Sequence, residues 1–162
     1  MKRAILFCAL LALLMGTNAQ ETTSYKEKHP YKDWVKIAPK LDDAFLTTPE
    51  AIRIADNVLL YQHTTGGWPK NVYMPAELTA DEYKKVLAAK NNVNESTIDN
   101  SATSTEIRYL SRIYLATRIE KYKDAALEGI RYLLKAQYPN GGWPQFWPRP
   151  KGYYLSLIHI SE

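Results

Sequence analysis

The sequence predicts an all-α protein organised as a helical-hairpin repeat with long aromatic loops. Three observations predict it. Four capped segments carry apolar residues at helical spacing, nothing between them alternates with period two for long, and Gly-Gly-Trp-Pro stands at 66–69 and again at 141–144. The two copies take four of the seven glycines in a chain of 162 residues.

At the start, Lys2 and Arg3, an apolar run from Ala4 to Met15 and the small residues Thr17-Asn18-Ala19 read as a secretory signal peptide over residues 1–19. The run is too short for a transmembrane helix. The expectation is an exported chain, periplasmic or extracellular, with no membrane attachment after cleavage. Cleavage removes the single cysteine, Cys8, so core packing alone must hold the domain. It also removes two basic residues from a net charge of +4. The remaining Lys and Arg lie among Asp and Glu on helical faces, which argues against nucleic acid as a partner. Residues 20–44 are polar, contain Pro30 and Pro39, and read as a leader with one short helix around Trp34.

Four helices follow. Thr48-Pro49-Glu50 supplies an N-cap, a proline at the first helical position and an acid at the positive end of the dipole. Ala51, Ile54, Ala55, Val58 and Leu59 then form one stripe, and the helix stops near Gln62. Thr79-Ala-Asp-Glu82 is a capping box that opens the second helix, running to about Lys90. The third spans roughly 104–120, with Ile107, Leu110, Ile113, Tyr114 and Thr117 on one side. The fourth spans about 124–137, with Ala126, Ile130, Leu133 and Leu134 inward.

Both tetrapeptides follow the same lead: an apolar helix end, a glutamine (Gln62, Gln137), three residues, then Gly-Gly-Trp-Pro. A helix end leaves carbonyls without partners. Glycine at positive φ reverses the chain, and proline holds the preceding Trp extended. The copies therefore mark equivalent corners of a repeated helix pair. Two readings of the indoles stay open. Gln-x-x-x-Gly-x-Trp resembles the helix clasp of the α/α barrels of triterpene cyclases, so Trp68 and Trp143 are structural clasps. Alternatively they wall a groove, because an indole face suits the C–H face of a pyranose. After the second copy, Gln145-Phe146-Trp147-Pro148-Arg149-Pro150 is too broken by proline for a helix or central strand and reads as ligand surface.

Three stretches in order resemble the family 10 polysaccharide lyases, which are pectate lyases. They are Thr65-Gly-Gly-Trp-Pro-Lys-Asn71, Ser96-Thr-Ile-Asp-Asn100 with Ala102-Thr103, and Gln137-Tyr-Pro-Asn-Gly-Gly-Trp-Pro-Gln-Phe-Trp-Pro148; Tyr153-Tyr154 adds a weaker fourth. The match places the N-terminal part of a catalytic domain over residues 45–154. It implies an incomplete α/α toroid-like fold, a groove for polygalacturonate and calcium-assisted β-elimination. Ca2+ on the C6 carboxylate would neutralise charge while a base removes the C5 proton. Asp99 is the implied metal ligand. Trp68, Lys70, Asn71, Asn100, Trp143, Trp147 and Arg149 are the implied substrate contacts, Arg149 as a bidentate fork.

Residues 155–162, Leu-Ser-Leu-Ile-His-Ile-Ser-Glu, depart from the family pattern, which would bring a second acidic ligand and, further on, the arginine base. They read as an aberrant tail, and the chain is expected to be inactive alone. A non-catalytic carbohydrate-binding module and a purely structural α/α repeat remain as alternatives. His29, His63 and His159 show no metal-ligand spacing.

Overall fold

Five α-helices, three 3₁₀ turns and a two-residue β-ladder make up the regular structure of the described residues, 30–148 and 157–158, in this computed structural model. Apart from Pro30, these residues belong to the unit Tyr31–Glu162. The expected signal peptide, residues 20–29, Arg149, Tyr153-Tyr154 and most of 155–162 lie outside the described residues. The predicted all-α class is the observed one.

Helix α1 (Pro30–Ile37), the short helix expected around Trp34, is followed by the 3₁₀ turn Ala38–Lys40. Trp34 and Ala38 are buried in the main core. The Trp34 ring stands edge-on to Tyr109, centroids 5.0 Å apart. One large indole can anchor a segment whose average hydropathy is low.

Helix α2 (Pro49–Tyr61) begins as expected, with Thr48 accepting from the Ala51 amide. Its buried face is Ala51, Ile54, Ala55, Val58 and Leu60, with Leu59 only half-buried. Asn57 Nδ2 donates to the Met74 and Ala76 carbonyls at 3.1 and 2.7 Å and fastens the following loop to the helix. Helix α3 (Ala80–Ala89) has the complete Thr79–Glu82 capping box and no buried residue.

Helix α4 (Ser104–Thr117) stops three residues before the expected end, where Arg118 turns left-handed at φ 60°. Helix α5 (Glu120–Ala136) then starts earlier than expected, with Glu120 in its first turn. The two pack along each other as a tight hairpin. The α4 stripe of Ile107, Leu110 and Ile113 is buried as read.

On α5 the reading is corrected. Ile130 and Leu134 are 40% and 66% exposed, and the buried side is Tyr122, Ala125, Ala126, Gly129, Tyr132 and Ala136. The cause is Gly129. A Cβ there would meet Ile107 at 2.6 Å and the Trp68 ring at 2.8 Å. The small side of α5 receives those neighbours, and the larger aliphatics face outward.

Strand β1 (Trp143–Pro144) pairs antiparallel with β2 (Leu157–Ile158), so two residues of the supposed aberrant tail join the second corner.

Candidate functional site

The two corners share one hydrogen-bond pattern. Gln62 Nε2 donates to Gly66 O at 2.9 Å, and Gln137 Nε2 donates to Gly141 O at 3.2 Å. Trp68 Nε1 reaches Val58 O at 2.7 Å, and Trp143 Nε1 reaches Leu133 O at 2.8 Å. The backbone N–H groups of His63 and Tyr138 donate to Gly67 O and Gly142 O at 2.9 and 2.8 Å. Gly66 and Gly141 carry φ of 92° and 85°. Each indole thus satisfies a carbonyl at the end of its preceding helix.

Between the corners runs the segment 96–98. Thr97 bridges Trp68 on one side and Phe146 on the other. Thr97 N donates to Trp68 O at 3.0 Å, Ile98 N to Gln145 O at 3.1 Å, and Trp147 N to Ser96 O at 3.3 Å. Thr103, fully buried, adds a side-chain stitch: its hydroxyl donates to Thr97 O at 2.7 Å and accepts from Trp68 N at 3.0 Å. Ser96 Oγ meets His63 Nδ1 at 2.9 Å and Thr65 Oγ1 at 2.5 Å. Burial holds the His63 imidazole below its ordinary pKa. These bonds make one sheet-like braid of the three motif stretches.

Asp99 projects from the 3₁₀ turn Asp99–Ser101 that follows the braid. Lys70 Nζ lies 2.6 Å from its Oδ2, and Gln145 Nε2 donates to the same oxygen. Lys70 and Gln145 are equivalent residues, each directly following its Gly-Gly-Trp-Pro. The repeat therefore sends two donors to a single acid. Burial works to raise the Asp99 carboxyl, but the hydrogen bonds from Lys70 and Gln145 and the Lys70 charge outweigh it and hold the pKa low. Lys70 also stands 5.1 Å from the Phe146 ring centroid. Beside this cluster, Asn100 Nδ2 donates to Asn71 Oδ1 at 3.0 Å.

The rim is conformationally costly. Asn71, Asn100, Ser101 and Thr103 have φ of 64°, 53°, 61° and 65°. Asparagine tolerates this region, whereas a β-branched threonine does not. Such strain, about 1–3 kcal/mol per residue, persists where surrounding bonds over-determine it and clusters at functional positions.

The expected site residues divide into groups. Lys70, Asn71, Asp99 and Asn100 come together. Trp143 and Trp147 are half-buried, and Trp147 lies edge-on to Tyr132 at 5.7 Å. Trp68 is a correction: it is fully buried, so its indole is a clasp and offers no face to a sugar. Arg149 lies outside the described residues. Gln145 was missed as a site residue, though aligning the two copies places it opposite Lys70.

Calcium takes six to eight oxygen ligands, several from carboxylates. Among the described residues no group of three or more His, Cys, Asp or Glu could hold a metal. Asp99 is the one carboxylate of the cluster, and its Oδ2 is already engaged by Lys70 and Gln145. This donor set by itself does not fit the ion.

The family model described as pectic acid lyase matches residues 62–160. Two solved structures are similar: a mutant of the family 10 polysaccharide lyase from Cellvibrio cellulosa in complex with trigalacturonic acid, and a structure of the family 10 lyase from that organism without a named ligand. The first is 30% identical with a TM-score of 0.53, covering 79% of this chain and 34% of that one. The second is 34% identical with a TM-score of 0.49, covering 80% and 34%. The chain thus spans about a third of the length of the solved structures it matches. No curated protein matches. On the family match across residues 62–160 and the three interlocked motif stretches, the chain belongs to the pectic acid lyase family.

Proposed function

We propose that this chain supplies part of the substrate groove of an exported lyase that acts on polygalacturonate. The observation that carries the reading is the convergence of Lys70 and Gln145 on Asp99, beside the Asn71–Asn100 pair. A galacturonate residue presents one carboxylate and neighbouring hydroxyls. Lys70 suits the carboxylate, Asp99 accepts from a hydroxyl, and the two asparagine amides both donate and accept. The partly accessible indoles of Trp143 and Trp147 suit a pyranose face, and Arg149 would add a second cation. The trigalacturonic acid bound to the similar Cellvibrio enzyme supports this ligand class.

The proposed reaction breaks the C4–O bond after loss of the C5 proton, leaving a C4–C5 double bond. Its difficulty is the weak acidity at C5, which rises when the C6 carboxylate is neutralised. An incoming uronate would share the Lys70 ammonium with Asp99, which keeps that ammonium in place, so Lys70 is assigned to binding and orientation. Among the described residues Asp99 alone makes no calcium site, so the proposed binding rests on Lys70, Asp99 and the two asparagines. With Asp99 as the one carboxylate of the described cluster, the chain is proposed to bind the polymer without turning it over.

Titration of trigalacturonate into the full chain tests this. Binding should weaken at least tenfold in Lys70→Ala and Asp99→Ala while the melting temperature changes little, because the pair is partly exposed. Unchanged affinity in both variants would sink the groove assignment. Ultraviolet-absorbing product from polygalacturonate, lost on Asp99→Ala, would overturn the proposed inactivity. The half-buried Trp143 and Trp147 favour a second reading, a non-catalytic pectin-binding module; binding that ignores chelator and depends on those indoles but not on Asp99 would select it.

A further inference from the structure

Glu106 lies in the first turn of α4, 2% exposed, and the candidate site does not use it. Its Oε1 accepts from Trp34 Nε1 at 2.9 Å. Its Oε2 is buried without a hydrogen-bond partner. A buried carboxyl oxygen left unpaired is costly, and such atoms in native proteins call for a specific explanation.

Glu106 borders a partly open pocket whose inner space, about 10 Å³, has room for a single water molecule. Asn71 and Asn100 line the same pocket, with Trp34, Pro69 and Val72 among its other walls. So the orphan oxygen and both members of the left-handed asparagine pair share one water-sized space. A water there would find the two to four polar partners it needs in the Glu106 carboxyl and the asparagine groups.

We infer that Glu106 is a positioning residue which, through one ordered water in this pocket, fixes the Asn71–Asn100 pair in its left-handed geometry. The inference rests on reading that pair as part of the sugar groove. Burial pushes the Glu106 carboxyl up to about 7, so below neutral pH it carries a proton it can donate to such a water. The other influences on it are the Trp34 indole and the backbone N–H groups of Glu106 and Thr103; no charged side chain acts on it. Lys70 and Asp99, the charged neighbours of the pocket walls in sequence, are engaged with each other.

The test follows the side-chain NH2 signals of Asn71 and Asn100 in the 15N-labelled full chain, together with trigalacturonate affinity. Glu106→Met should shift both amide signals and weaken trigalacturonate binding about tenfold. Glu106→Gln, which keeps an acceptor for Trp34 and a donor for the pocket, should hold both amide signals and keep the affinity within twofold. A purely structural role would show affinity following melting temperature across the two variants, with the amide signals unmoved, and would overturn the inference. If wild-type chain binds no trigalacturonate, the groove reading fails, and the amide signals alone decide this one. Should Glu106→Met not fold, a high-resolution crystal structure of the wild type decides: an ordered water bridging Oε2 to Asn71 or Asn100 supports the inference, and a dry pocket overturns it.

Discussion

The two Gly-Gly-Trp-Pro corners share the bonds of the clasp and differ in their surroundings. At the first, Trp68 is fully buried, and a Cβ on Gly66 would meet the Glu128 carbonyl at 2.5 Å. Gln62 there makes a second bond, 2.9 Å to Ala125 O on α5. At the second, Trp143 is half-buried, and a Cβ on Gly141 would meet nothing within 4 Å. The difference is α5 itself, which covers the first corner; nothing among the described residues covers the second in that way. The clasp is therefore a local device that closes with or without a neighbour, while its contribution to stability depends on the neighbour.

This contrast can be broken most directly at the tryptophans. Trp68→Ala should cost about 3–5 kcal/mol in urea unfolding, the range for removing a buried aromatic, and Trp143→Ala less than half as much. Equal losses would show that the clasp bond, not burial, sets stability.

The glycines give the next largest separation. Gly66→Ala combines a forbidden φ with a backbone clash and should cost about 3 kcal/mol or more. Gly141→Ala meets only the φ penalty, about 1 kcal/mol.

A pH scan sharpens the comparison differently, because a buried acid adjoins the loop leaving the first corner. Glu106 has its folded pKa raised to about 7, chiefly by burial, so the folded state holds the proton more tightly than the unfolded chain. The sign follows: stability is fullest below the ordinary carboxylate pKa and is lost as pH rises from there to about 7. The loss should be on the order of 3 kcal/mol and should vanish in Glu106→Gln, as read by denaturant midpoints across that range.

The smallest contrast is at the glutamines. Gln62→Ala strands two carbonyls and should cost about 1–2 kcal/mol; the exposed Gln137→Ala should cost about 0.5 kcal/mol. A double-mutant comparison with the corresponding tryptophan would show whether each clasp acts as a unit.

Much of this was legible beforehand. The Thr48 cap, the Thr79–Glu82 box and the helical class follow from local rules and are present. Asp99 was picked from its motif, and it joins Lys70, Asn71 and Asn100. The misreadings share a cause. Periodicity favours the largest aliphatics, so it turned Ile130 and Leu134 inward on α5, where Gly129 instead admits Trp68 and Ile107. Average polarity around Trp34 gave the expected short helix but not its burial against Tyr109 or its bond to Glu106. The stacking role given to Trp68 failed because a repeated motif does not reveal which copy will be covered.

By itself, then, the sequence determined the helices, their caps and the inner bonds of both corners, since each such bond spans ten residues or fewer and needs no distant partner. Only the tertiary structure decided which indole became core and which stayed half-exposed, and brought Lys70 and Gln145 to one oxygen of Asp99. Those outcomes depend on α5 and the 96–98 segment reaching corners far away in the chain, and long-range packing of that kind leaves no periodic trace in either partner.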